Sequence, residues 1–157
     1  IMSIAWSSPI TGSAQTGFTA PTYTTITDTA PSNSPGKQVA VSALGGTQVG
    51  VTVHSVASPF TLNFTRPSNL RVLGNPNPVT GVITQVPTNT YKLITRKGVL
   101  PLAGQPYKVM VMQTTADVPA GADTADAPNI RACESAHIGA LTQQSAGFGD
   151  LAINGVL

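Results

Sequence analysis

The chain has 157 residues, enough for one domain with a core of its own and too few for two of ordinary size. It carries 8 basic and 6 acidic residues, well short of the roughly 25% charged positions of a typical soluble domain. With 15 Gly, 13 Pro and 21 Thr the composition is turn-rich and β-prone. No apolar run approaches the ~20 residues that cross hydrocarbon, so no membrane-spanning helix is expected. A hydrophobic content of 41% with a net charge of +2 argues against disorder.

The opening residues, Ile1-Met2-Ser3-Ile4-Ala5-Trp6, have neither a basic n-region nor a long apolar stretch, so no secretory signal is expected. Cys133 is the only cysteine, which excludes an intrachain disulfide and any CxxC zinc site. A surface this poor in charge is weakly protected against association; much of it is expected to be buried in an assembly. The charges are also segregated. Residues 1–116 carry seven bases against Asp28 alone, a balance of +6, and residues 117–157 carry Arg131 against five acids, a balance of −4.

In chain order, residues 22–27 (TYTTIT) form a β-branched run that ends at the turn cluster of residues 30–36. Val39 and Val41 begin a second strand, which stops at Gly45-Gly46. Val49, Val51 and Val53 alternate with Gly50, Thr52 and His54, a period of two that predicts another strand of a meander, closed by Ser58-Pro59. In residues 60–66, Phe60, Leu62 and Phe64 share one face and Thr61, Asn63 and Thr65 the other, so one face should pack and one should be wet. Pro67 ends this strand, and residues 69–86 are read as an extra hairpin. Residues 90–97 (TYKLITRK) and 105–118 form two further strands, joined by an apolar loop over residues 98–104.

After Ala122 the β-branched runs stop. Ile130, Cys133, His137 and Leu141 recur at helical spacing with Ile138 beside them, predicting a helix over residues 125–144 with Asp126 as N-cap and Pro128 in the first turn. Gly139 lies in its middle, where it costs about 1 kcal/mol against Ala; a close backbone crossing would account for it. Gly147-Phe148-Gly149 should break the helix, leaving residues 150–157 as a second short helix or packed tail.

Catalytic chemistry finds little support. His54 is read in a strand and His137 on the helix, with no arrangement of nucleophile and base, so no enzyme is expected. Cys133 reads as a core residue and His137 as a packed or interfacial one. Asp117, Asp123 and Asp126 lack the spacing of a calcium loop, and no metal or cofactor is expected. The basic residues are more informative. Lys92, Ile94 and Arg96 share one strand face, and if this strand pairs with the preceding one, Thr61, Asn63 and Thr65 lie beside them. Exposed cations on a sheet often do no more than solvate it or guard an edge, yet this combination would also form a cationic, hydrogen-bonding platform for phosphates and unstacked bases, with Tyr107 on the next strand as a stacking ring.

The order of parts resembles the coat proteins of the single-stranded RNA bacteriophages, the levivirus-like group. The resemblance is carried by residues 60–67 (FTLNFTRP), 89–101 (NTYKLITRKGVLP), the strand from Tyr107, and residues 129–147, including HIGALTQQSAG. It implies an α+β fold with an N-terminal hairpin and antiparallel meander in residues 1–118 and a helical segment in residues 125–157, all one coat-protein domain. It implies two chains joined into one sheet, each chain's helices lying over the partner's sheet, with Ile130, Cys133, His137, Ile138, Gly139 and Leu141 at the dimer interface. Such dimers would close an icosahedral T=3 shell around single-stranded RNA, with possible recognition of a genomic stem-loop. The RNA-facing positions would be Thr61, Asn63, Thr65, Lys92, Ile94, Arg96 and Tyr107. Gly98, Leu100, Pro101, Leu102 and Gly104 would lie in the loop that changes shape between dimers. The resemblance further implies localisation in the virion, with assembly in the bacterial cytoplasm. A β-rich adhesin or glycan-binding module is the competing reading; it predicts no RNA in the purified protein.

Overall fold

A computed structural model describes residues 3–29 and 35–157. Most of the turn cluster read at residues 30–36 lies outside the described residues. Six strands form one sheet in sequence order: β1 (Ile10–Thr11), β2 (Thr19–Asp28), β3 (Gly36–Thr47), β4 (Phe60–Thr65), β5 (Thr88–Val99) and β6 (Lys108–Pro119). Every neighbouring pair is antiparallel. Helices α1 (Ala122–Ala125), α2 (Ala127–Gln143) and α3 (Ser145–Asn154) follow. The architecture is therefore the expected α+β one, a meander followed by C-terminal helices.

Three local expectations are corrected. The alternating run at Val49, Val51 and Val53 is not a strand; residues 48–59 form a loop. Alternation supplies a strand's two faces but does not ensure a ladder: on the side away from β2, β3 pairs with β4 only over Gly36–Ala40, and residues 48–59 form no ladder on the open stretch beyond. The loop instead folds back through His54, whose N–H donates to Val41 O (2.9 Å) and whose Nδ1 accepts the Phe60 N–H (3.0 Å). His54 thus sits in a loop rather than a strand.

The hairpin read at residues 69–86 is reduced to one turn, in which Gly81 N–H donates to Asn77 O and Asn77 N–H to Val82 O. Pro76 and Pro78 flank Asn77 and have no N–H to give a ladder. Finally, Gly147 and Gly149 do not break the helix. The interruption falls at Gln144 (φ −102°, ψ 18°), and α3 runs through both glycines. Gly149 has a packing reason, because a Cβ there would collide with the Gln15 side chain, whose Nε2 donates to Ser145 O (2.7 Å) and Ser145 Oγ (3.0 Å).

The two sheet faces differ in chemistry. On the apolar face, the Trp6 ring lies 4.9 Å from Phe64 and Tyr23 lies edge-on to Phe60 at 5.6 Å. Lys97 Nζ sits 5.0 Å over the Phe60 ring and donates to Thr52 Oγ1 and Ser58 Oγ, which ties the 48–59 loop to β5. Desolvation holds the Lys97 ammonium below its ordinary pKa. Only Val39, Ala40, Val41 and Ala120 are fully buried apolar residues among those described. Among the described residues this face has no cover under β6, where Met110 and Met112, opposite Lys97 and Thr95, are exposed.

No residue of α2 is buried. Ile130, Gly139 and Leu141 are half-exposed, and Cys133, His137 and Ile138 are exposed. Cys133 is consequently not a core residue of its own protomer, because no sheet of the same chain lies beneath α2. Gly139 likewise faces open space within the chain. Asp126 precedes α2 as expected, but its carboxylate accepts from the Asn129 side chain (2.7 and 2.9 Å) and makes no bond to a backbone N–H of the helix.

The accessible surface is 10966 Å², whereas a self-sufficient monomer of this mass exposes about 7,400 Å². The excess is about 3,600 Å² on that scaling. It measures how far one chain falls short of completing its own core.

The sequence places Gly98 at the start of the loop between the last two strands. It lies instead inside β5, opposite Val109, with Ser58 packed against it. A Cβ at this position would stand 2.7 Å from Ser58 Cα, so Gly98→Ala is expected to destabilise the protein by about 1–3 kcal/mol through backbone displacement. Denaturant unfolding of the two proteins at equal concentration checks this.

Candidate nucleic-acid interface

The polar face is built by strand register. In β4 and β5, Thr61 is opposite Arg96, Asn63 opposite Ile94, and Thr65 opposite Lys92. Directly opposed residues of antiparallel strands share a face, so all six stand together. β6 adds Val111, Gln113 and Thr115 opposite Arg96, Ile94 and Lys92, and β3 adds Gln38 opposite Asn63. Lys92 and Arg96, four residues apart, are separated by about 13 Å of strand rise.

The wet face expected for β4 is reversed in the single chain. Thr61 (7% exposed) and Asn63 (2%) are buried, while Phe60, Leu62 and Phe64 are only half-buried. The long side chains of β5 flank the small polar ones, whereas the aromatic face is only partly covered. Gln38 Oε1 and Asn63 Oδ1 are buried without a hydrogen-bond partner among the described residues. The Gln38 amide donates from Nε2 to Asp28 Oδ2 (2.8 Å). That bond and the Thr29 N–H hold the Asp28 carboxyl below its usual pKa.

Tyr107 is not on the strand as read, because β6 begins at Lys108. The ladder ends where Val99 meets Lys108, which leaves Tyr107 half-buried at the strand's start. Residues 100–107 form the connection between β5 and β6, and Leu100, Pro101, Leu102 and Gly104 are all exposed there.

The structure adds residues that strand parity conceals. An open concavity of about 460 Å³ is lined by Lys92, Arg96, Asn63 and Thr65 from the sheet, and by Arg66 and Arg71 from the segment after β4. Arg66 has the parity of Phe60, Leu62 and Phe64, so alternation assigns it to the apolar face; Pro67 ends the strand and the rule lapses there. Arg71 is positioned by Asn89, whose Oδ1 accepts the Arg71 N–H (2.8 Å) and whose Nδ2 donates to Arg71 O (3.2 Å). No carboxylate lines the concavity. The nearby Asp117 accepts a hydrogen bond from Thr90 Oγ1 (2.5 Å).

An antiparallel sheet with one cationic polar face, one incompletely covered apolar face and a long helix packed on no strand of its own chain defines a subunit made for assembly. Among solved structures, the chain is similar to the virus-like particle of bacteriophage ESE020, at 55% identity and a TM-score of 0.95, over 99% of this chain and 100% of that one. The chain belongs to the family of bacteriophage capsid proteins that includes the ESE020 particle protein. No protein-family profile and no curated protein matches it.

Asn89→Ala removes both bonds to Arg71 and leaves its backbone groups to water, so a loss of about 1–3 kcal/mol is expected. Amide hydrogen exchange at Arg71 should accelerate while exchange in β3 stays unchanged.

Proposed function

We propose that this protein is the coat subunit of a phage shell that packages single-stranded RNA against the polar face of its sheet. The observation that supports this reading most strongly is the register that sets Thr61, Asn63 and Thr65 beside Arg96, Ile94 and Lys92. Cations spaced along an acid-poor face meet separate phosphates, and the neighbouring threonine, asparagine and glutamine groups supply hydrogen bonds to bases and sugars. Any preference for a genomic stem-loop originates in those groups, with Tyr107 stacking at the strand's start. Ile94 contributes packing alone.

Two copies join through β6. This strand is the sheet's last, 12 residues long and unpaired on its outer side among the described residues, and a long apolar edge of this kind demands a partner. Sheet pairing of this kind carries α2 of each chain over the apolar face of the other, where Ile130, Cys133, His137, Ile138, Gly139 and Leu141 become interfacial. The dimers close a T=3 shell in the host cytoplasm, and the exposed loop at residues 100–107 adapts to the different contacts around the symmetry axes. The role is structural rather than catalytic.

Negative-stain microscopy of the expressed protein, with the absorbance ratio at 260 and 280 nm, tests this. Closed particles containing nucleic acid are expected; a monodisperse protein free of nucleic acid would favour the glycan-binding module instead. In protein dissociated from particles, changing Lys92 and Arg96 together to Ala should reduce the slope of log affinity against log salt by about 1.4, at roughly 0.7 per phosphate on a single strand. An unchanged slope would mean that these two residues only solvate the sheet.

A further inference from the structure

We propose that residues 66–71 add a second phosphate-binding patch to the polar face, in which Arg66 and Arg71 hold backbone phosphates of the same single strand that passes over Lys92 and Arg96. The inference rests on the RNA reading above and extends it to a part of the chain outside the sheet. All four cations line one open concavity, and no acid does. Two arise from β5 and two from a segment that the fold brings alongside it.

The segment is held in place rather than lying loose on the sheet. Asn89, a buried residue one position into β5, makes both backbone hydrogen bonds of Arg71, much as a neighbouring strand would. Arg66 is also oriented, since one guanidinium nitrogen, Nη1, donates to Pro67 O at 2.9 Å. A guanidinium carries five N–H donors in a planar fork, so most remain to grip a phosphate in bidentate fashion.

Position supports a continuous track. Arg71 is tied to the strand at Asn89, which precedes Lys92 by three residues and Arg96 by seven, so the anchor of the patch lies about 10 Å and 23 Å from those cations along the strand. The acid nearest the track by register, Asp117, lies opposite Thr90 and is engaged by it. A polyanion crossing the sheet from Arg96 past Lys92 would next meet Arg71 and Arg66.

The test compares three full-length proteins dissociated from particles: the parent, an Arg66→Gln/Arg71→Gln variant and a Lys92→Gln/Arg96→Gln variant. Each is titrated with a labelled 20-nucleotide oligouridylate at several salt concentrations. Arg66 and Arg71 are exposed, and their backbone bonds survive the exchange, so the variant should fold; circular dichroism checks this. The arginine variant is expected to lower the salt slope by about 1.4, as two lost phosphate contacts on a single strand require.

If only the Lys92/Arg96 variant lowers the slope, the second patch is refuted and the RNA reading stands. If the parent does not bind, or neither variant moves its slope, both fail. An arginine variant that keeps its slope but no longer forms particles would assign Arg66 and Arg71 to the acids of a neighbouring subunit, which also overturns the proposal. An arginine variant that fails to fold is replaced by Arg66→Lys/Arg71→Lys, which keeps the charge and loses the fork; affinity below the parent's at an unchanged slope supports the patch, and unchanged affinity overturns it.

Discussion

An amphipathic sheet has to hide its apolar face, and this chain does not hide its own. The helix with the length to do so, α2, follows β6 after the short α1 and buries none of its residues. Among the described residues the buried apolar core is confined to Val39, Ala40 and Val41 in β3 and Ala120 after β6. The surface excess of about 3,600 Å² over a monomer of this mass is several times the roughly 800 Å² per partner of an ordinary protein contact. Loose association between finished monomers does not account for it. The physics calls for copies that complete one another, as expected in a family whose ESE020 relative is solved as a virus-like particle.

Electrostatics follows from the same division. The sheet region, through Pro119, carries +5 and the helical region −3, and register concentrates Lys92 and Arg96 on one face with Arg66 and Arg71 at its margin. Like charges gathered in this way repel one another in the free protein, and a bound polyanion relieves that repulsion. The acids that do lie on this face are each engaged, Asp28 by Gln38 and Asp117 by Thr90. Under the RNA reading proposed above, such a surface would gain affinity mainly from phosphate, with its hydrogen-bonding groups left to discriminate.

Much of this was legible in the sequence because it rests on local rules. Period-two alternation located β4 and β5, and their pairing follows from adjacency in a meander, so the Thr61–Arg96 and Thr65–Lys92 neighbours were foreseeable. Helical spacing and Pro128 located the start of α2 to within two residues. What alternation does not report is whether a ladder forms, and Val49, Val51 and Val53 read as a strand although the loop meets the open edge of β3 through the His54 N–H at Val41 O and makes no ladder there. Glycine spacing misled at both ends of the chain's second half. Gly98 is fixed by Ser58 and Gly149 by Gln15, contacts from 40 and 134 residues away in sequence that no local pattern encodes. Arg66 and Arg71 were hidden for a different reason. Their position depends on where Pro67 turns the chain and on the Asn89 side chain, both tertiary facts.

The dimer proposed above makes the folded state depend on a second copy. Protein dissociated from particles should be diluted stepwise while sedimentation and far-ultraviolet circular dichroism are recorded, with thermal unfolding at each concentration. Completion by a partner predicts an unfolding midpoint that rises with concentration and no folded monomer at any dilution. A sedimenting monomer with native circular dichroism and a concentration-independent midpoint would contradict it.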